Sequence, residues 1–409
     1  MMPKPRAALL PLALALALAA SRPLSAADFR VDDLELLSHG AYDTPSKTFD
    51  VGSRLFFDLS LEGGDKFSGL LRMNFLSGNI EDALEEATAS IDSSSTTFQR
   101  DVANKLDNLL SPELMTVAVT AKSVFDWPID VSYFIGQMDS FCTGDDFVAL
   151  FGTAPFATDL RGPLVYPGGV GGNTNLWYDG LYTAEGTGFR FGTTPKMSSS
   201  SIIYAYIYQD SNLGIGHWSG DIRFLANSPS AKAEFFAGAS GGGAYGLYRG
   251  GMLFYATSGD VGEFYSQAGL TYFDPTQSLS LDNLYFLFEP RVNFGIGQAA
   301  ITVFYHPAWY LQKYYGDSGE KDALDAAFTL RFGHISQVGA EGGLQTLLEF
   351  RPLTSDTTVT PPLSVDASPF YSLITGGVRW DFKLDLRVFP FPNPWYGMFK
   401  PFIGVKTAF

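Results

Sequence analysis

The residues of this chain from which metal or nucleophilic chemistry would be built are four histidines and one cysteine. His39, His217, His306 and His334 fall in separate segments and Cys142 stands alone, so no ligand spacing of a structural zinc site is present. His217-Trp218-Ser219 holds a base and a hydroxyl two positions apart, the residue types that make an activated serine when a third group orients the histidine. Such a pair is common by chance and carries no expectation of catalysis. The run Gly168-Gly169-Val170-Gly171-Gly172 is no phosphate loop, because no Lys-Ser or Lys-Thr follows to reach a phosphate. The expectation is a protein that is not an enzyme, with no cofactor and no metal.

A second kind of chemistry is electrostatic. From Val378 to Val388 the chain reads VRWDFKLDLRV, with Arg379, Asp381, Lys383, Asp385 and Arg387 at every second position. The positions between are Val378, Trp380, Phe382, Leu384, Leu386 and Val388. Successive side chains of a strand point to opposite faces, so one face is apolar and the other wholly charged with both signs interleaved. Eleven residues match the roughly 9–11 that a tilted strand needs to cross a bilayer. Charges in this pattern suit a wet interior, where they act on passing ions or brace the wall as ion-pair ladders. Arg54, Arg72 and Arg331 take equivalent places in weaker copies over 49–61, 67–76 and 324–332, and a further copy covers 284–294.

The elements that must position these charges are strands. Further candidates lie near 114–125, 129–138, 175–183, 186–194, 201–209, 217–226, 230–240, 245–257, 262–273, 297–309, 340–350 and 398–409, many separated by Gly, Asp, Asn or Pro. The expected fold is all-β: a single antiparallel transmembrane β-barrel of about sixteen strands, with fourteen to eighteen open. The long links 77–113, 139–174, 310–323 and 351–372 do not all fall on one side, as they should in a barrel, and a missing strand near Val31–Leu37 is one remedy.

Composition agrees with lipid on one face of the sheet. Aromatics make up 15% of the chain and charged residues 17%, below the quarter usual for soluble domains. Residues 1–27 carry Lys4 and Arg6, an apolar stretch from Ala8 to Ala20 and a small-residue exit at Ser25-Ala26-Ala27, the order of a signal peptide. The domain plan is therefore a signal peptide over 1–27 and a barrel over 28–409. The net charge of −16 disfavours nucleic acid as a partner.

Two insertions interrupt the strand pattern. Residues 79–111 repeat apolar positions at helical spacing and are expected to form a short helical insertion. Residues 139–174 are long, rich in Gly, Pro and Phe, and bear Asp145, Asp146 and Arg161; they are the candidate constriction loop. The pairs Trp177-Tyr178, Trp309-Tyr310, Tyr314-Tyr315 and Trp395-Tyr396 suit the headgroup level of a membrane, with sugar stacking as the rival role.

The last residues read Pro401-Phe402-Ile403-Gly404-Val405-Lys406-Thr407-Ala408-Phe409. Apolar residues at alternate positions and a terminal Phe409 resemble the final strand of Gram-negative outer-membrane β-barrels, which the barrel assembly machinery reads. The resemblance, at the level of a porin-like class, implies outer-membrane lipid and that machinery as partners, with a homo-oligomer possible. The function expected is passive diffusion of small hydrophilic solutes through a charged lumen. The alternatives are a non-channel barrel acting as adhesin or binding protein, and a transporter of hydrophobic substrates.

Overall fold

The period-two pattern organises the whole structure. The computed structural model describes residues 28–43, 48–77, 111–160, 180–195, 197–211, 213–214, 216–241, 246–279, 283–306, 323–334, 339–350, 363–392 and 394–408. The expected signal peptide, nearly all of the helical insertion, Arg161 and the rest of 161–174, and Phe409 lie outside the described residues.

Eighteen strands follow in chain order: β1 (Asp28–Asp43), β2 (Thr48–Gly63), β3 (Phe67–Ser77), β4 (Ser111–Ala121), β5 (Ile129–Phe141), β6 (Tyr182–Thr193), β7 (Ser201–Asp210), β8 (Trp218–Asn227) and β9 (Ala231–Ser240) form the first half. The second half is β10 (Leu247–Thr257), β11 (Gly262–Phe273), β12 (Leu284–Phe294), β13 (Gly297–His306), β14 (Ala323–Gly333), β15 (Ala340–Phe350), β16 (Leu363–Thr375), β17 (Val378–Phe389) and β18 (Phe399–Ala408). Each pairs antiparallel with its sequence neighbours, and β1 also pairs with β18 from Asp33↔Ala408 to His39↔Phe402, so the sheet closes on itself. Closure satisfies every strand edge, which a sheet in lipid requires.

The count is eighteen rather than the expected sixteen, and two strands account for the change. In β1 the alternation slips at Asp32, where the register to β2 jumps between Val31↔Leu59 and Asp33↔Asp58. One extra residue there moves the apolar positions from Phe29 and Val31 to Leu34 and Leu36, which hides the period. In β16 a proline sits mid-strand: Pro369 pairs with Leu344 of β15, while the ladder to β17 lapses between Ala367↔Leu386 and Phe370↔Lys383. Of the expected strand near 175–183, residues 175–179 lie outside the described residues, and Tyr182 and Thr183 open β6.

With eighteen strands the links sort by side. Those after odd-numbered strands include 78–110, 142–181, 307–322 and 351–362, whereas those after even-numbered strands run from 295–296 and 376–377 up to 122–128 and 194–200. Long links on one side and short turns on the other is the arrangement of outer-membrane barrels, the short turns being periplasmic.

Sidedness is equally plain. On β8, Ile222 is 61% exposed and its neighbour Arg223 is 0% exposed. Outward positions carry Ile203, Ile207, Phe235, Phe254, Phe288, Ile301, Phe328 and Ile403, all exposed apolar side chains that would be unfavourable in water. Inward positions carry Tyr208, Asp221, Glu234, Gln267, Glu289 and Thr329, all buried. The chain is an outer-membrane-type barrel, apolar outside and polar within.

Candidate functional site

The polar interior divides into two walls with an inward loop between them. The described part of the β5–β6 link, residues 142–160, packs against inward-facing side chains of β8 to β14. Gly144, at φ 90°, turns the chain inward; a Cβ there would meet Phe156 at 2.9 Å, so only glycine lets the loop double back. A single helix, α1 (Asp145–Phe151), follows and buries Phe147.

Charged groups of the wall hold this loop. The Cys142 amide donates to Glu234 Oε1 at 2.6 Å, and the Gln267 side-chain amide donates to the Cys142 carbonyl. Arg223 donates to Asp146 on α1, and its Nε to Glu234 Oε1 at 2.6 Å, with Arg223 and Glu234 both wholly buried. Further along, the Thr158 hydroxyl donates to Glu289 Oε2 at 2.8 Å and the Asp159 amide to Glu289 Oε1 at 3.1 Å. Arg291 donates to the Ala157 carbonyl and pairs with Glu263 at 3.0 Å. Arg331 of β14 closes the series, its Nη2 2.9 Å from Asp159 Oδ1. Isolated charges so buried would be costly, and each of these wall ions is matched to a loop or wall partner.

Aromatic rings fill the space between these contacts. Phe156 stacks on Tyr255 at 4.6 Å and meets Phe147 edge-on at 5.4 Å, and the Arg223 guanidinium lies 5.2 Å from the Phe141 ring. Gly238 of β9 leaves room for the Asp221–Arg249 pair, since a Cβ there would collide with Asp221. The β5–β13 arc is thus packed like a protein core.

The opposite arc, β14 through β18 and round to β4, is lined by charge ladders whose arginines and Lys406 stay partly exposed while Asp381 and Lys383 are buried. Arg379 bonds Asp381 at 2.9 Å and approaches Glu341 at 3.6 Å; Lys383 pairs with Asp385 at 2.8 Å and Arg387 with Asp366 at 2.5 Å. On β2 and β3, Arg54 donates to Asn74 at 3.1 Å and Arg72 to Asp58 at 3.0 Å. Lys406 of β18 lies 2.7 Å from Asp33 and 3.7 Å from Glu35 of β1. The side chains of Arg72, Arg379 and Arg387 retain 36%, 32% and 30% exposure, against 0% for Arg223 on the packed arc.

The sequence-derived residues separate accordingly. Arg54, Arg72, Arg379, Asp381, Lys383, Asp385 and Arg387 all face the interior of the charged arc, in ion pairs or hydrogen bonds. Arg331 instead joins wall to loop. Asp146 is drawn into the Arg223 contact, while Asp145 is exposed on α1. Trp395 and Tyr396 are exposed in the β17–β18 link, on the long-link side; the other three aromatic pairs lie outside the described residues. Sequence reasoning missed Arg223, Glu234, Asp159 and Lys406 as site residues. The signal of Arg223, Glu234 and Lys406 was present as inward charges on alternating strands, while Asp159 lies in the loop, and which wall charges meet it depends on how strands far apart in sequence curve round to face it.

No protein-family model matches the chain, and no curated protein matches it in sequence. Among solved structures, a mutant porin of Rh. blastica aligns over 94% of this chain and 100% of its own, at 9% identity and a TM-score of 0.45. OprB of Pseudomonas putida, in a low-pH structure, aligns over 94% of this chain and 92% of its own, at 10% identity and a TM-score of 0.39. Wzi of Escherichia coli, described as a carbohydrate-binding β-barrel involved in group 1 capsule assembly, aligns over 100% of this chain and 90% of its own, at 12% identity and a TM-score of 0.47.

Proposed function

We propose that the protein is an outer-membrane channel for passive diffusion of small hydrophilic solutes. The observation that carries this reading is the charged arc: ionised side chains of both signs line one wall of a closed barrel, and its arginines Arg72, Arg379 and Arg387 stay partly exposed. On this reading a solute crossing the barrel passes the exposed Asp145 of the inward loop and, on the β18–β1 wall, Lys406, Asp33 and Glu35. Charges in a narrow passage act on ions more strongly than in bulk water, because the surrounding dielectric is lower. Lumen width and the balance of these charges then set which solutes cross.

Conductance of the refolded protein in planar bilayers tests the reading. Stable single-channel steps are expected, larger when the α1 segment is shortened. A barrel that inserts but passes no current overturns the channel and favours a binding barrel. Asp145→Asn is expected to shift the reversal potential in a salt gradient toward anions without loss of folded protein.

A further inference from the structure

In an antiparallel strand the N–H and C=O of one residue point to the same side, so each residue takes its ladder bonds from one neighbour only. Leu384, in the middle of β17, meets a proline on either side. On β18 it stands opposite Pro401. On β16 the pairs Ala367↔Leu386 and Phe370↔Lys383 put Pro369 in the same row. Proline has no N–H to give. Whichever way Leu384 faces, its carbonyl therefore lacks a cross-strand donor, in a sheet whose outer face is covered by lipid that offers none. The ladder shows the result: no pair joins β16 to β17 between Ala367↔Leu386 and Phe370↔Lys383.

Side chains take over where the backbone is interrupted. The Ser368 hydroxyl donates to Asp385 Oδ1 at 2.5 Å across the gap, and Lys383 holds the same carboxylate from the short-turn side at 2.8 Å. Beyond the gap, toward the long links, β16 and β17 share three pairs, Val365↔Phe389, Asp366↔Arg387 and Ala367↔Leu386, with a register shift between the first two. On the other flank, pairing of β18 with β1 starts only at Phe402, so among the described strands Phe399, Lys400 and Pro401 are joined to β17 alone. Arg387 fastens this part of the wall to β16, its Nε and Nη2 donating to the two oxygens of Asp366 at 2.5 and 3.1 Å.

We propose that the row Pro369–Leu384–Pro401 is a hinge. The wall beyond it, Asp385–Phe389 of β17 with Phe399 and Lys400 of β18, is a flap that opens locally while the rest of the barrel stays closed. Arg387 and Asp366 are its latch. Asp385, Arg387 and Lys400 share the inward face of the flap, so its movement displaces lumen charges and gates the long-link mouth. Water from the lumen, reaching in beside Ser368 and Asp385, supplies the donor that Leu384 lacks. The hinge needs the closed barrel but not conduction through it; the gating role rests on the channel reading.

Hydrogen exchange of the full-length protein in phosphatidylcholine vesicles tests the hinge, with heat-modifiable migration as the check on folding. The amides of Leu384–Arg387 should exchange about tenfold faster, or more, than those of Ile222–Leu225 on β8, whose ladders to β7 and β9 are unbroken. Pro369→Val with Pro401→Val restores both donors and should remove most of the difference. Arg387→Gln should quicken exchange at 384–387 and at Lys400 while leaving Arg379–Phe382 unchanged. Equal protection of β17 and β8 in the unmodified protein overturns the hinge, and so does a rise along the whole of β17 in Arg387→Gln. In planar bilayers, a disulfide formed between Ala367→Cys and Leu386→Cys, which are directly paired, should suppress open-channel flicker that returns on reduction. Cys142 is wholly buried and stays out of that reaction. Flicker that ignores the lock overturns the gating role. A barrel that passes no current overturns the channel reading, and the exchange result then decides the hinge by itself.

Discussion

The two arcs of this barrel handle the same inward alternation of polar side chains in opposite ways. From β5 to β13 the inward charges are dehydrated and tied to a loop, as Arg223 is to Glu234 and Asp146. From β14 round to β4 they pair along and between strands, and the arginines stay partly exposed, as Arg387 does beside Asp366. The difference teaches that an alternating strand specifies only which face is polar. Whether that face becomes packed core or a partly hydrated wall depends on what lies opposite, and here one loop decides it.

The sharpest way to break the comparison is to truncate one arginine from each arc. Arg223→Ala leaves Glu234 buried without its partner and should lower stability by about 3–5 kcal/mol. Arg387→Ala, at a partly exposed pair, should change it by less than about 1 kcal/mol. Urea unfolding midpoints of the refolded barrels measure both, and equal losses would mean that the arcs do not differ in hydration.

A somewhat smaller effect tests the wall itself. Phe382 faces outward at 37% exposure, between the buried inward residues Asp381 and Lys383. Phe382→Arg should cost about 2–4 kcal/mol near the middle of the bilayer, and the yield of heat-modifiable barrel should fall. Lys383→Gln should leave that yield nearly unchanged. Equal tolerance of the two substitutions would reverse the faces of β17.

Much of this was legible in the sequence, and the exceptions have local causes. The strand β17 stands out because Arg379 to Arg387 alternate without interruption, whereas β1 is hidden by the extra residue at Asp32 and β16 by Pro369. Those two omissions also scattered the long links across both sides. The site was legible only as a set of inward charges. Separating Asp145 from Asp146, or Arg331 from Arg379, requires the positions of partners such as Arg223 and Asp159, which are set by barrel curvature rather than by local pattern.

The smallest effect concerns pH at the short-turn rim. Lys66 beside Asp126 holds that fully exposed carboxyl below its ordinary value. A carboxylate with a depressed folded pKa contributes stability above its unfolded pKa of about 3.9 and loses it as the pH falls through the folded value. The brace on the β4–β5 turn should therefore be intact at neutral pH and released only in acid below that range. Hydrogen exchange of the Lys122 and Ser123 amides as the pH is lowered follows it, and Asp126→Asn should abolish the dependence.

The seam between β1 and β18 has a consequence for how the barrel is made. Its contact between Lys406 and Asp33 joins residues 373 apart in sequence, so no partial chain can contain it. Every other strand pair is local and can form as soon as its hairpin is available, but the seam waits for both ends and bears the loop-closure entropy of the whole sheet. Until it forms, two unpaired edges stand open to any other strand, including those of another copy. Closure is thus the slow, non-local step, and a chaperone or catalyst that shields the edges of β1 and β18 acts where this sequence has no local means of protecting itself.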